Sequence, residues 1–138
     1  MWFYYALLSA LFAALTAIFA KIGVTNISSN LATGIRTIII LIVVWTIVLV
    51  KNETKGFGSL TRQNIIFLVL SGVATGLSWL FYFKALQLGN VSRVATVDKL
   101  SVALTIILAA LFLGETLTAR TAIGATLIIA GTLVLIAK

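Results

Sequence analysis

Five long apolar runs dominate this sequence and limit its fold more than any other feature. They are Trp2–Ala20, Leu31–Val50, Ile65–Phe83, Val94–Leu113 and Thr121–Ala137. A helix needs about 20 apolar residues to cross a bilayer core of about 30 Å, and each run is close to that length. The sequence therefore predicts an all-α membrane protein with five transmembrane helices.

The composition supports a membrane setting for these runs. Of the 138 residues, 62% are hydrophobic and only 9% are charged, whereas a soluble domain is about 25% charged. The first run lacks the basic leader of a signal peptide, and four further runs would remain without it. The loops that connect consecutive spans, here called joints, are too short to hold a soluble domain. We therefore expect one domain over residues 1–138. Its helices are expected at about 2–20, 31–50, 64–87, 93–113 and 119–137.

Several function classes are disfavoured by the residues themselves. The chain has no cysteine and no histidine, which argues against thiolate or imidazole metal sites. Its net charge of +7 comes from single basic residues at helix ends, as at a membrane interface, so nucleic acid is not expected as a partner. No paired carboxylates or nucleophile motif appear, so we predict neither an enzyme nor a bound cofactor or metal.

Asp98 is the acidic residue that falls inside a predicted span. A charge there costs free energy unless water or a partner offsets it. Ser101 and Thr105 follow at i+3 and i+7 and share its helix face. Two interpretations stay open: a polar lining of a passage, or an ion pair of Asp98 with Arg36 or Lys84 that only fixes packing.

Similar polar stripes occur on spans 1 and 3, and together they predict a partly hydrated cavity. Arg36 lies deep in span 2, cannot lose its charge, and is a candidate for binding an anionic group. The predicted substrate-binding residues combine these stripes with aromatic walls. They are Ser9, Thr16, Arg36, Ser71, Thr75, Ser78, Trp79, Tyr82, Asp98, Ser101 and Thr105.

The charge pattern around the spans does not favour one orientation. With five spans the termini lie on opposite sides of the membrane. The joints on the N-terminal side carry four Lys or Arg residues. The other side carries three, or six when those slightly inside the spans are included. The side of the membrane with more Lys and Arg residues is usually cytoplasmic. Because the two sides are nearly balanced here, one prediction is that the chain inserts in both directions and pairs with an inverted copy of itself. A single orientation set by the joint between spans 2 and 3 is an equal alternative.

The stretch that runs from "GLSWLFYFKALQLGNVSR" through "LFLGETLT" to "IGATLIIAG" resembles the second part of an EamA-type repeat of the drug/metabolite transporter superfamily. The similarity covers about residues 71–136, and "LATGIRTIIILIVV" resembles the second helix of the repeat with its arginine, Arg36. The matching features are Trp79 with the aromatic-Ala-Leu run to Leu86, Gly89 before Ser92, "LFLGETLT" and "IGATLIIAG". Where family members often have proline near Leu100–Ser101, this chain reads "VDKLS".

The resemblance implies a multi-pass transporter of the plasma or inner membrane that moves a small metabolite or amphiphile by alternating access. Such proteins usually have ten helices in two inverted repeats, so a homodimer, most plausibly antiparallel, would complete the arrangement. Alternatives are a non-transporting packing subunit, half of a lipid-flipping pair, or an exporter of small cationic drugs. Since proline is absent, any helix irregularity is expected at glycine.

Overall fold

Helices account for almost the whole fold. The computed structural model describes residues 1–137. The helices are α1 (Trp2–Gly23), α2 (Ser29–Val50), α3 (Arg62–Leu88), α4 (Val91–Asp98), α5 (Leu100–Phe112) and α6 (Ala119–Ile136), with a 3₁₀ segment at Glu53–Ser59. Five stretches are long and apolar enough to cross a membrane, with α4 and α5 together forming the fourth at Val91–Phe112. The predicted all-α, five-span fold class is confirmed.

Polar residues in the joints start the helices. Ser28 precedes α2 in an extended conformation, and its Oγ accepts a hydrogen bond from the Leu31 amide at 3.2 Å. Thr118 does the same for α6, accepting from the Thr121 amide at 3.2 Å. Each hydroxyl satisfies one of the amides that a helix leaves unpaired at its start. Gly114 supplies the positive φ of 68° that the turn after α5 uses.

The fourth span is broken one residue beyond Asp98. The amide of Lys99 donates to the Thr96 carbonyl at 3.1 Å, and the Val102 amide donates to the Lys99 carbonyl at 3.0 Å. These are i to i−3 bonds, so the helix tightens into a 3₁₀ turn between α4 and α5. The expectation that irregularity would fall at glycine is wrong here, because Lys99, with φ −68° and ψ −11°, carries the break.

The chain divides into two compact units. The α2–α3 unit comprises Ile18–Leu88, and the α4–α6 unit comprises residues 1–17 with residues 89–137. In the α4–α6 unit, α6 packs against both α4 and α5. Thr132 of α6 is 2% exposed. Its hydroxyl donates to the Ile128 carbonyl at 2.8 Å and lies 3.4 Å from the Thr96 carbonyl, beside the break in span 4.

The buried residues of the α2–α3 unit lie where α1 ends, α2 begins and α3 ends. Val24, Phe83 and Leu86 are 3%, 3% and 0% exposed. Consecutive helices run in opposite directions through the membrane, so these three helix ends meet at one side of it. Most other large apolar side chains are exposed, as expected for helices whose solvent is lipid.

Two polar side chains tie this buried end together. The ammonium of Lys21 donates to the Leu86 carbonyl, one of the last carbonyls of α3, which have no partner within the helix. The amide Nε2 of Gln87 donates to the carbonyls of Val24 and Ile27, at 3.2 and 2.6 Å. These bonds fasten the joint between α1 and α2 to the end of α3.

At the opposite end of α2 an aromatic pair holds the next joint. The rings of Trp45 in α2 and Phe57 in the 3₁₀ segment stack with centroids 6.0 Å apart and planes inclined by 15°. Both side chains are partly exposed. Offset stacking of this kind stabilises by about 0.5–1.5 kcal/mol beyond the area buried. The 3₁₀ segment is therefore packed back on α2.

Candidate substrate-binding site

The side chain of Arg36 is stacked on two aromatic rings inside the membrane-spanning part of the α2–α3 unit. Its Cζ lies 4.3 Å from the centroid of the Trp79 ring and 5.3 Å from that of Phe83. Both distances are within the 6 Å range of cation–π attraction, which is worth about 0.5–2 kcal/mol depending on desolvation. We call Arg36, Trp79 and Phe83 the arginine–aromatic cluster.

The helix register accounts for the arginine–aromatic cluster. Trp79 and Phe83 are four residues apart on α3, so their rings lie on one face, one turn above the other. Arg36 is seven residues into α2 from Ser29 and is half-buried, while Phe83 is only 3% exposed. Since α2 and α3 pack against each other, the guanidinium meets both rings across that interface.

The charge of Arg36 has no acidic partner within its unit. Among residues 18–88 the one carboxylate belongs to Glu53, which begins the 3₁₀ segment beyond the far end of α2. The distance along α2 from Arg36 to Val50 alone is about 21 Å at 1.5 Å per residue. The aromatic contacts are cation–π contacts and use none of the N–H donors as hydrogen bonds, and the N–H donors of a guanidinium suit a carboxylate or phosphate. The arginine–aromatic cluster can therefore bind an anionic group.

The hydroxyl residues predicted on span 3 lie beside this cluster on the helix. Ser71, Thr75 and Ser78 are exposed and Tyr82 is half-buried. At about 100° per residue these four fall on a face adjoining that of Trp79. The Thr75 hydroxyl donates to the Ser71 carbonyl of its own helix at 2.8 Å. Its oxygen retains lone pairs that can accept a hydrogen bond.

The remaining predicted residues belong to the α4–α6 unit. The Asp98 carboxylate has Lys99, the next residue, as an ion-pair partner with Nζ 3.8 Å away, and its side chain is 39% exposed. Ser101 and Thr105 are exposed, and the Thr105 hydroxyl donates to the Ser101 carbonyl at 2.8 Å.

Ser9 and Thr16 of α1 complete the set of predicted residues. Ser9 is exposed and Thr16 is half-buried, and both belong to the α4–α6 unit. Of the predicted site residues, the structure brings Arg36 and Trp79 into direct contact. The participation of the others in one passage stays a prediction.

Three residues that position this site were not selected from the sequence. Phe83 provides the second ring of the arginine–aromatic cluster, and its i+4 spacing from Trp79 was the available signal. Lys21 and Gln87 fix the end of α3 that carries both rings. The partners of Gln87 are backbone carbonyls, and backbone groups leave no pattern in a sequence from which they could be predicted.

An all-helical chain with five spans and an arginine stacked inside one of them defines a class, the polytopic membrane proteins. Comparison with known proteins identifies the family within this class. It belongs to the EamA-like transporter family, whose model matches residues 1–137. This confirms the resemblance predicted from the sequence.

A named relative agrees with this assignment. The chain is 49% identical over 134 residues to a protein of Sinorhizobium sp named "Uncharacterized transporter in cobO 3'region". The aligned region covers 97% of this chain and 95% of the relative. No solved structure matches the chain significantly. The chain is thus a multi-pass membrane protein of a transporter family, a kind of family that is typically non-enzymatic.

Proposed function

We propose that this EamA-family protein carries a small anionic or zwitterionic metabolite or amphiphile across the plasma (inner) membrane by alternating access. The working form is an antiparallel homodimer. The arginine–aromatic cluster binds the anionic part of the solute in each protomer. No enzymatic step, cofactor or metal is involved.

The observation that carries this proposal is the stacked Arg36 without an acidic partner in its unit. Arginine costs about 2.5–3.5 kcal/mol at the centre of a bilayer on insertion scales and less toward its surface, and Arg36 lies about 10 Å along α2 from Ser29. The stack on Trp79 and Phe83 returns about 0.5–2 kcal/mol, and water or an anion can offset the remaining cost. An intramembrane cation held in this way favours an anionic ligand and repels cationic drugs.

The passage that we propose combines the cluster with the polar stripes of the other spans. Hydroxyl and carboxylate groups can replace part of the hydration shell of a polar solute, while the indole and phenol rings line the apolar walls. The proposed lining is Ser9, Thr16, Arg36, Ser71, Thr75, Ser78, Trp79, Tyr82, Asp98, Ser101 and Thr105.

The antiparallel homodimer is supported by the charge pattern. Lys and Arg residues number four on one side and three to six on the other, so neither orientation is strongly preferred. An inverted pair would enclose a midplane site between two five-span units, which is a common plan of secondary transporters. The relative from Sinorhizobium sp is matched over 95% of its length and so resembles this chain across all five spans.

Solute binding is tested with a panel of small carboxylates, phosphates and sulfonates added to the purified protein in detergent. We expect at least one to raise the unfolding temperature, and Arg36→Gln to abolish that shift. The matched control Arg62→Gln removes the same charge from the exposed start of α3. This variant should still show the rise in unfolding temperature. Equal shifts in the wild type and Arg36→Gln would contradict the assignment of Arg36.

Transport is tested with the stabilising solute in proteoliposomes. Radiolabelled solute should enter the proteoliposomes faster than it enters protein-free liposomes. Unlabelled solute loaded inside the proteoliposomes should accelerate this uptake by exchange. A protein that binds the solute but exchanges none of it would instead be a packing subunit.

Orientation is tested by cysteine labelling, for which the absence of native cysteine gives a clean background. Single cysteines replace Asn52, after α2, and Asn90, before α4. In intact cells an impermeant maleimide should label about half of each population if the chain inserts both ways. Complete labelling at one position and none at the other would rule out the antiparallel dimer.

A further inference from the structure

A pocket lies in the α2–α3 unit, on a different face of α3 from the arginine–aromatic cluster. It encloses about 400 Å³ and is lined by Ser29, Asn30, Leu77, Leu80, Phe81 and Lys84. We call it the Lys84 pocket. On α3, its residues are centred about 130° around the helix axis from Trp79 and Phe83, at 100° per residue. The two sites therefore use different faces of the same helix.

The Lys84 pocket is polar at one end and apolar at the other. Lys84 is in the last turns of α3, and Ser29 and Asn30 form the first turn of α2. Leu80 and Leu77 lie about 6 and 10 Å deeper along α3 than Lys84, at 1.5 Å per residue. The pocket thus has a cationic rim at the membrane surface and an apolar floor that extends into the hydrocarbon region.

The polar groups at the rim lack partners within the described residues. Lys84 is exposed, and the only acid of its unit, Glu53, lies beyond the far end of α2. Ser29 is 7% exposed, and in residues 1–137 its hydroxyl has no hydrogen-bond partner, although its carbonyl accepts from Thr33 at 2.9 Å. Among the described residues no fully buried side-chain oxygen or nitrogen lacks a partner, so this hydroxyl is open to the pocket that Ser29 lines and can bond a ligand there.

Backbone groups add to the attraction for an anion. Ser28 Oγ satisfies the amide of Leu31, whereas the amides of Ser29 and Asn30 belong to the first turn, where a helix provides no acceptor. The start of α2 also carries the positive end of the helix dipole. These amides and the Lys84 ammonium together suit a phosphate group.

We propose that the Lys84 pocket binds an anionic glycerophospholipid from the surrounding bilayer. The phosphate contacts Lys84, the Ser29 hydroxyl and the first amides of α2, while the upper acyl chain lies on Leu77, Leu80 and Phe81. Leu77 and Phe81 are 51% and 74% exposed, so a chain can enter sideways from the lipid. This lipid is a structural ligand of the α2–α3 unit and does not depend on the proposed transport function.

The test measures lipid binding by native mass spectrometry of the wild-type protein in detergent, titrated with phosphatidylglycerol or with phosphatidylcholine of the same acyl chains. We expect one tight site for phosphatidylglycerol and about tenfold weaker binding in Lys84→Gln, because a charge-assisted hydrogen bond is lost. Lys51→Gln removes the same charge from the C-terminal end of α2 and should change binding less than twofold. Equal losses in both variants, or equal affinity for both lipids, would overturn the proposal.

A second variant tests the same site in case Lys84→Gln loses lipid binding because it misfolds. Asn30→Asp introduces a negative charge at the rim, and aspartate is favourable in the first turn of a helix, so α2 should stay folded. It should weaken phosphatidylglycerol binding at least as much as Lys84→Gln, with no loss of unfolding temperature in lipid-free detergent. Unchanged lipid binding would overturn the proposal.

The same titrations distinguish other occupants. Glycerol phosphate at millimolar concentration should not displace phosphatidylglycerol if the apolar floor contributes. Displacement would show a site for soluble phosphates and overturn the lipid assignment. A change from dimer to monomer in Asn30→Asp without any change in lipid binding would show that a second copy of the chain occupies the pocket, which also overturns it.

Discussion

The two hydrogen bonds of Gln87 make the most direct test of how the α2–α3 unit is held together. Gln87→Met keeps the length and approximate shape of the side chain but removes both N–H donors. The carbonyls of Val24 and Ile27, now 3.2 and 2.6 Å from Nε2, would lose a partner. The joint between α1 and α2 would then be fastened to α3 through Lys21.

The cost follows from the burial of the two bonds. A hydrogen bond contributes about 0.5–1.5 kcal/mol net, and more when its loss leaves a buried group unpaired. The bond to Val24 is partly buried and water cannot easily replace it, whereas the bond to Ile27 is exposed. We therefore expect about 1–2 kcal/mol of destabilisation in total, most of it from Val24.

The free energy of unfolding is measured in detergent micelles by SDS titration, followed by circular dichroism and tryptophan fluorescence. Gln63→Met is the matched control, since Gln63 is an exposed glutamine in the first turn of the same helix. It should shift the free energy by less than about 0.5 kcal/mol, as surface substitutions usually do. Equal effects of the two substitutions would refute the role given to Gln87.

A double-mutant cycle sharpens this result. Lys21→Met removes the donor that caps the Leu86 carbonyl, one residue from Gln87. Because both side chains join the same helix ends, their losses should not add, and we expect a coupling of about 0.5–1 kcal/mol. Strict additivity would show that the two ties act independently.

Three further predictions address other parts of the molecule. Trp79→Leu removes the closer ring of Arg36 and should weaken binding of the stabilising anion about threefold to tenfold, as measured by thermal shift, through loss of the cation–π contact. Gly114→Ala should lower the free energy of unfolding by about 1 kcal/mol, because φ is 68° there and a Cβ disfavours that conformation. Thr132→Leu should lower the free energy of unfolding by about 1–3 kcal/mol by overpacking a side chain that is 2% exposed. Thr132→Val keeps the volume but removes the hydroxyl that bonds the Ile128 carbonyl, and should cost about 0.5–1.5 kcal/mol.

The number of spans could be predicted because lipid imposes a simple rule. Each crossing needs an apolar run of about 20 residues with its backbone hydrogen bonds satisfied internally. The break at Lys99 could not be predicted in the same way, because neither proline nor glycine marks it. It depends on i to i−3 bonds at Lys99 and Val102, and the Asp98–Lys99 pair indicated a polar lining or an ion pair there, not a helix break.

The candidate site was predictable in its central residue and less so in its surroundings. An arginine deep in a span has few ways to be accommodated, so Arg36 could be selected from its position alone. Its contacts with Trp79 and Phe83 depend on how α2 and α3 face each other, which a single sequence does not encode. Hydroxyl groups such as those of Thr75 and Thr105 bond their own helix backbone, so their presence alone could not show what they face.

The stacked rings of Trp45 and Phe57 have a consequence for the fit of the protein to its bilayer. Tryptophan favours the headgroup level, so Trp45, stacked on Phe57, favours that depth for this end of α2. From Trp45 back to Ser29 the helix extends about 24 Å at 1.5 Å per residue. A thicker or thinner membrane is therefore accommodated at the Ser29 end or by tilt, so hydrophobic mismatch alters the surroundings of Lys84 before those of Trp45.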